Sequence, residues 1–308
     1  MSAMMLGTIG KGAFVIEVIG APFNSAGPAD GVARAPAALR RAGLVTALEP
    51  FADEVVDRGD LPFAPATRRR DPETQVIAVE ALAPMLGSVR NAVGRAFDRG
   101  SFPLVLGGDC PVLLGCLAAA GRQAARVLYI DGHEDAWTPE RSTTGEAADM
   151  DLGWLLGLGV EKLPPALRDE IPTAEPGNVI VLGARDQDEL AQAGVRSIDD
   201  IVRIVRVNAI ARDPATVARD AVESMDRRGP WWLHVDLDVL STDSLAAVDY
   251  RQPGGLDWPT LTELTATALA GAGILGWSVT IYNPDLDPTG DDARRIVQYI
   301  GEALGSSH

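Results

Sequence analysis

Two five-residue segments gather carboxylates and imidazoles at spacings that suit a cation. They are Asp131-Gly132-His133-Glu134-Asp135 and His234-Val235-Asp236-Leu237-Asp238. Each follows an apolar run that reads as a buried strand, so each delivers its polar groups to a strand end. In an extended segment alternate side chains share a face, which predicts that His234, Asp236 and Asp238 project to one side. Carboxylates forced together in a cleft repel one another and cannot all ionise cheaply without a cation between them. Two carboxylate–histidine–carboxylate clusters therefore point to a divalent metal site, against the alternative that the aspartates merely cap helices and line loops. A third segment, LVLGGDCPVLLG (104–115), carries Cys110 just past a Gly-Gly-Asp turn, where a thiol can be a ligand or simply a small buried group.

Short apolar, β-branched runs at 14–20, 102–108, 126–132, 178–184, 231–239 and 274–282 read as strands. Helical patterns lie between them, at about 34–43, 76–98, 111–122, 213–227, 259–271 and 290–303, with Asp213, Asp257 and Asp291 as start signals. This alternation runs the whole length without a linker-like stretch or an internal repeat. It predicts one three-layer α/β/α domain over residues 1–308 around a mainly parallel sheet. The longer loops, about 132–152 and 240–257, both leave the carboxyl end of a strand, the edge at which open α/β sheets hold their ligands.

Of the 308 residues, 46% are hydrophobic and 23% charged, ample for a core. No stretch approaches the roughly 20 apolar residues that cross a bilayer. The opening stretch MSAMMLGTIGKGAFVIEV lacks a basic region followed by a long apolar run, which predicts no secretory signal and a cytoplasmic location. The two cysteines, Cys110 and Cys116, sit on different helix faces and are expected as reduced thiols. A net charge of −16 argues against nucleic acid or anionic membrane as a partner and leaves a small-molecule substrate.

The motifs and their order resemble the arginase–agmatinase (ureohydrolase) family almost end to end. IGAPFNSAGPADGVARAPAALRRAGL (19–44) resembles the family's first strand, loop and helix. LGGDC (106–110) is similar to its Gly-Gly-Asp-His motif with the last residue changed, and DGHEDAWTP (131–139) to Asp-Ala-His-Ala-Asp-x-Asn-Thr-Pro. HVDLDVL (234–240) resembles Ser-x-Asp-x-Asp, GARDQD (183–188) a Gly-x-Arg-Asp-x-Asp segment, and WSVTIYNP (277–284) the final strand ending Glu-Val-Asn-Pro. The resemblance implies a sheet of about eight strands, a binuclear and usually manganese centre, and a homo-oligomer, often a trimer or hexamer. One metal would take Cys110, Asp131, Asp135 and Asp236; the other would take His133, Asp131, Asp236 and Asp238. The implied chemistry is attack of a metal-activated water on a guanidino carbon, with Asp135 orienting it and taking the proton.

Three departures from the family pattern bear on this expectation. Cys110 replaces a histidine; a thiolate is softer than manganese prefers, so zinc, nickel, cobalt or iron become candidates, as does a single-metal site. A branch cleaving N-hydroxyarginine shares this cysteine. Ile281 stands where the family has the glutamate that pairs with a guanidinium, and isoleucine offers no bidentate contact. Glu134, Glu146, Asp149 and Asp151 are the acids that can replace it. Ala147-Ala148-Asp149 occupies the region of the arginase loop histidine, and His234 replaces the family's serine. We expect His234 to support the metal ligands from behind by a hydrogen bond; a titrating or ligating role is the alternative. Asp188 is retained from the arginase amino-acid contacts, Thr144 lies near another, and Trp137 replaces a third.

The expectation is a hydrolase cleaving a C–N bond of a guanidino-, amidine- or ureido-type small molecule. The rivals are an amide hydrolase of deacetylase type with one metal, and a degenerate homologue that only binds.

Overall fold

The computed structural model describes residues 13–307 apart from residue 65 and residues 122–124; most of the stretch read for a signal, and the end of the expected helix 111–122, lie outside these. Among the described residues, eight strands form one parallel sheet: β1 (Val15–Ala21), β2 (Glu54–Asp60), β3 (Phe102–Gly107), β4 (Val127–Ile130), β5 (Val179–Leu182), β6 (Arg203–Val205), β7 (Trp231–Asp236) and β8 (Ile274–Thr280). Their order is β2-β1-β3-β8-β7-β4-β5-β6. The longer helices are α1 (Ala35–Arg41), α2 (Val79–Asp98), α3 (Val112–Gly121), α4 (Pro214–Asp226), α5 (Trp258–Leu269) and α6 (Asp291–Gly305).

Parallel strands need crossovers, and the helices supply them while covering both faces of the sheet. Alternation along each strand sends Leu104, Leu106, Leu128, Ile130, Leu233 and Val235 to the face covered by α1, α4, α5 and α6. Val105, Val127, Tyr129, Val181 and Trp232 go to the other face, against α2 and α3. Each such side chain taken fully out of water contributes about 1.5–3 kcal/mol, which fixes strand register because a one-residue slip would reverse the faces.

The six expected strands and six expected helices are all present. The two additional strands, β2 and β6, are the sheet's edges. They carry charges (EVVDRGD and RIV), since an edge strand has one side open to solvent and lacks the apolar run of a central one. Asp213 and Asp257 cap α4 and α5 by accepting backbone N–H groups of Thr216 and Thr260. Asp291 does not cap α6: Gly290, with φ 69°, occupies that position and Asp291 is the first helical residue.

The strand expected over 231–239 is also shorter. It ends at Asp236, whose carboxylate accepts the N–H of Asp238 at 2.8 Å and starts a 3₁₀ turn over Leu237–Val239. Asp238 therefore reaches the site through a turn, not through strand alternation.

Candidate metal centre

The four central strands, β3, β8, β7 and β4, end side by side, and each contributes to one buried cluster. From β3 the chain turns through Gly107-Gly108. A Cβ on Gly108 would lie 2.0 Å from the Phe23 carbonyl oxygen, so only glycine allows this approach. Buried Asp109 accepts the Ser25 N–H at 2.8 Å and also the Ser25 hydroxyl, pinning the loop after β1 to the turn. Cys110 is thereby set inward before α3, with Sγ 2.5 Å from Asp236 Oδ2 and 3.4 Å from Thr280 Oγ1.

From β4, Asp131 accepts the His133 N–H at 2.7 Å through Oδ1. Its other oxygen, Oδ2, is solvent-inaccessible and has no hydrogen-bond partner. His133 Nδ1 lies 3.1 Å from Asp238 Oδ2 and 3.5 Å from Asp131 Oδ1. Arg185 donates to the Asp238 carbonyl at 2.7 Å and to the Leu240 carbonyl at 3.2 Å, tying the β7 turn to the segment after β5. Asp135, at φ 40°, accepts the Tyr129 hydroxyl at 2.6 Å through Oδ2.

Strand register explains three further contacts. Tyr129 pairs with His234 across β4–β7, and His234 with Ser278 across β7–β8. The Tyr129 and His234 rings stack with centroids 4.9 Å apart. His234 Nδ1 meets Ser278 Oγ at 2.8 Å, and Ser278 Oγ accepts the Trp232 indole N–H at 2.9 Å.

Ligand-capable atoms converge in two sets among the described residues. Those of Cys110, Asp131, His234 and Asp236 lie within 4.8 Å of one another, as do those of Asp131, His133 and Asp135. Without a cation the cluster is electrostatically frustrated. Burial first, and then the carboxylates of Asp238, Asp131 and their neighbours, push Asp236 and Asp135 well above the usual carboxylate range, and Asp131 up to about 6. Burial and the same carboxylates raise the Cys110 thiol. His133 moves the other way from a buried imidazole: burial lowers it, but Asp238 and Asp131 outweigh that and raise it well above the ordinary imidazole value. His234 is pushed down to about 3 by burial, leaving a neutral ring. An orphaned buried carboxylate oxygen, like charges in contact and a neutral imidazole aimed among them fit divalent metal ions.

A cavity of about 380 Å³ opens onto the cluster; Cys110, His133, Asp135, Asp236 and Asp238 form its floor. Trp137, Thr144, Asp149 and Ile281 line it with Glu189, Asp249, Tyr250 and Arg251. Ile281 sits at φ 74°, a conformation costly for a β-branched residue, and its N–H is donated to the Gly108 carbonyl at 2.8 Å. Asp149 Oδ2 accepts the hydroxyls of Ser142 and Thr144, both at 2.8 Å, while its Oδ1 is buried and unpartnered.

The other acids considered for the missing glutamate lie elsewhere. Glu134 is buried against Arg206, Ser197 and the Ile198 N–H, away from the cavity, and cannot serve. Asp151 is buried beside Tyr129, 3.4 Å from its hydroxyl. Glu146 is not a lining residue; it hydrogen bonds Tyr250, and burial raises it to about 7. Asp188 is exposed on the helix Gln187–Ala193 and does not line the cavity, whereas its neighbour Glu189 does.

Tyr129, Ser278, Thr280, Asp249 and Arg251 were not anticipated. Register carries the signal for the first two: both share a face with His234 in adjoining strands. Asp249 and Arg251 lie in a loop whose path no local pattern fixes.

A parallel α/β sheet with an acidic, metal-competent cleft at the carboxyl ends of its central strands defines the class. The arginase family model matches residues 15–305, and the chain belongs to the arginase family. Arginase of Bacillus caldovelox is 29% identical, over 94% of this chain and 98% of its own length. Arginase-1 of Homo sapiens is 27% identical, over 92% and 89%. The solved structure of the Bacillus caldovelox arginase superposes with a TM-score of 0.79 at 27% identity, covering 95% of this chain and 98% of that one. A proclavaminate amidino hydrolase from Streptomyces clavuligerus shares the fold at a TM-score of 0.67 and 20% identity, covering 96% and 92%.

Proposed function

We propose that the chain is a metal-dependent hydrolase that cleaves a C–N bond of a guanidino-, amidine- or ureido-type small molecule. The observation that carries this reading is the convergence of Cys110, His133, Asp135, Asp236 and Asp238 on the floor of a cavity sized for a small molecule, with Asp131 in ligand range of them and one of its buried carboxylate oxygens left free. Family membership supports divalent metal there, which when bound would supply a nucleophile at neutral pH by acidifying a water.

The chain's own residues do the rest. Burial, Asp131 and Asp151 raise Asp135 above the usual carboxylate range, which suits it to accept a proton, while Tyr129 fixes its orientation. Trp137 and Ile281 give the cavity an apolar wall beside the metal floor. Asp149, Asp249 and Glu189 favour a substrate with a cationic end, and Arg251 can take a carboxylate. Because Ile281 presents no carboxylate, a free planar guanidinium would lack the bidentate acid that the family pattern gives it, which favours a ureido group or a modified guanidine at the metals. We propose cytoplasmic, homo-oligomeric action on the same family grounds.

The test is turnover by protein reconstituted with manganese, zinc or cobalt, against guanidines, amidines, ureido compounds and acylated amines, read as urea, ammonia or amine release. Cleavage of a linear amidine-type bond is expected. Metal binding without turnover of any compound would leave a binding protein, and cleavage confined to acylated amines would favour the amide-hydrolase reading.

A further inference from the structure

The arginase-family pattern assigns Asp135 to the metal that residue 110 also holds. The geometry of this chain points elsewhere. Asp135 Oδ2 is taken by the Tyr129 hydroxyl at 2.6 Å, and Asp135 is not a member of the group formed by Cys110, Asp131 and Asp236. The fourth member of that group is His234. Its ring is fully buried and stacked on Tyr129, so it has little freedom to turn away.

We propose that His234 Nε2, with Cys110, Asp131 and Asp236, completes the sulfur-bearing metal site in the position the family pattern gives to Asp135, and that this site selects zinc, cobalt(II) or iron(II) over manganese. This rests on the reading that the cleft holds divalent metals, and it deepens that reading.

Orientation, charge and donor chemistry support this assignment. The first is orientation. Nδ1 is engaged with Ser278 Oγ at 2.8 Å, whereas the nearest partner of Nε2 is Thr280 Oγ1 at 3.5 Å, at the edge of hydrogen bonding. With the proton on Nδ1 and donated to Ser278, the Nε2 lone pair is left on the side of Thr280, whose hydroxyl in turn contacts Cys110 Sγ and Asp236 Oδ2. This is the usual second contact of a metal-bound histidine, here backed by Trp232, which donates its indole N–H to Ser278.

The second is charge. The family pattern surrounds this metal with one imidazole and three carboxylates. Exchanging that imidazole for a thiolate adds a negative charge, and exchanging Asp135 for neutral His234 removes one. One thiolate, one imidazole and two carboxylates therefore hold the formal charge constant, whereas Cys110 alone would not.

The third is donor chemistry. One sulfur, one nitrogen and two oxygens form a borderline-soft, four-donor set that suits zinc or cobalt. The Asp131–His133–Asp238 side, with one nitrogen and oxygens, remains hard. The two halves of the centre would then differ in metal preference.

The sequence makes the test clean, because the only histidines are His133, His234 and His308. In the full chain carrying His133→Asn and His308→Ala, any imidazole on a metal is His234. Loaded with cobalt(II), this protein is expected to show near-ultraviolet thiolate-to-cobalt charge transfer, and cobalt-edge X-ray scattering from one sulfur and one imidazole on the same ion. Adding His234→Ser should abolish the imidazole scattering, keep the sulfur, and weaken cobalt binding at least about tenfold. Asp135→Asn in its place should keep both signals and leave affinity within about threefold. Sulfur-bound cobalt without imidazole, or affinity lost with Asp135→Asn while His234→Ser changes nothing, would overturn the proposal.

The unmodified chain guards against misfolded variants. At two cobalt ions per chain it must average one imidazole per ion, and half that value would equally overturn it. Turnover without the imidazole signal would sink this inference and leave the proposed function standing; the signal without turnover would do the reverse.

Discussion

Stripping the metal should invert the ordinary pH dependence of a protein rich in carboxylates. Most folded-state carboxylates lie below their unfolded values, so stability normally climbs from pH 4 towards neutrality. Here the decisive groups are raised. Asp131 is fully buried, and burial followed by repulsion from Asp238 lifts it from 3.8 to about 6. Between these values the folded chain holds a proton that the unfolded chain has released, so folding stability falls as pH rises through the window. The shift corresponds to about 3 kcal/mol. Asp186, buried near His133, is raised to about 6 as well and adds to the fall. Within the cluster, the two groups that oppose it act outside the window. Asp238 is raised by burial but lowered more by His133 and Arg185; its contribution is complete above pH 3.8 and fades only on further acidification. His133 is raised well above 6.5, so its contribution is complete below that value and fades only as pH rises through the raised value.

With an unfolding entropy of about 2.1 cal/mol/K per residue, a loss of about 3 kcal/mol lowers Tm on the order of 5 °C in a chain of this length. Divalent metal should reverse the trend. Binding requires Asp131 and Asp236 as carboxylates and His133 without its proton, so affinity and the metal-dependent increment in Tm both grow with pH. The assay is calorimetry of chelator-treated and zinc- or manganese-loaded protein from pH 4.5 to 6.5, with urea midpoints as a check against irreversible unfolding. A metal-free Tm that rises across this window would refute the electrostatic reasoning, as would a metal increment that shrinks.

Cys110→Ser should lower affinity for zinc and cobalt at least about tenfold, and Cys110→His should move preference towards manganese; competition dialysis with elemental analysis reads both, and unchanged selectivity in the two variants would remove Cys110 from the ligand set. Ile281→Glu restores a carboxylate beside the metal floor without adding backbone strain, since glutamate is not β-branched. It should tighten binding of arginine- or agmatine-like compounds about 10–100-fold by calorimetry, and no gain for any of them would mean that Trp137 or the acidic rim closes the cavity to guanidiniums. Gly108→Ala forces a Cβ to within 2.0 Å of the Phe23 carbonyl oxygen. It should destabilise by about 1–3 kcal/mol and loosen the Cys110 site, read as a lower urea midpoint together with weaker cobalt charge transfer; a variant matching the parent in both would show that the turn can shift freely.

How much of this was legible from the sequence follows from the range over which each feature is decided. The central strands announce themselves because burial on both faces demands unbroken apolar runs, and the ligand segments that follow them are local. The edge strands β2 and β6 do not, because one open side lets Glu54, Asp57 and Arg203 into the pattern. Asp238 shows the limit within a single segment. Alternation placed it on the correct side for the wrong reason, since Asp236 terminates the strand and turns Asp238 in through a hydrogen bond that spacing alone does not reveal.

The larger shortfall concerns residues whose roles are decided across strands. His234 was legible as an anomaly but not as a ligand candidate of equal standing with Cys110. Its direction is set by Tyr129 in β4 and Ser278 in β8, which are remote in sequence and meet it only through sheet register. Seen together, the departures from the family pattern are coupled. The tyrosine that stacks on His234 also holds Asp135, so the contact that steadies the imidazole is the one that draws the carboxylate aside. Reverting Cys110 alone would then leave His234 in place and Asp135 still bound to Tyr129. A return to the family's ligand arrangement should require at least Cys110→His together with Tyr129→Phe, and the double variant should gain manganese affinity beyond the sum of the two single effects.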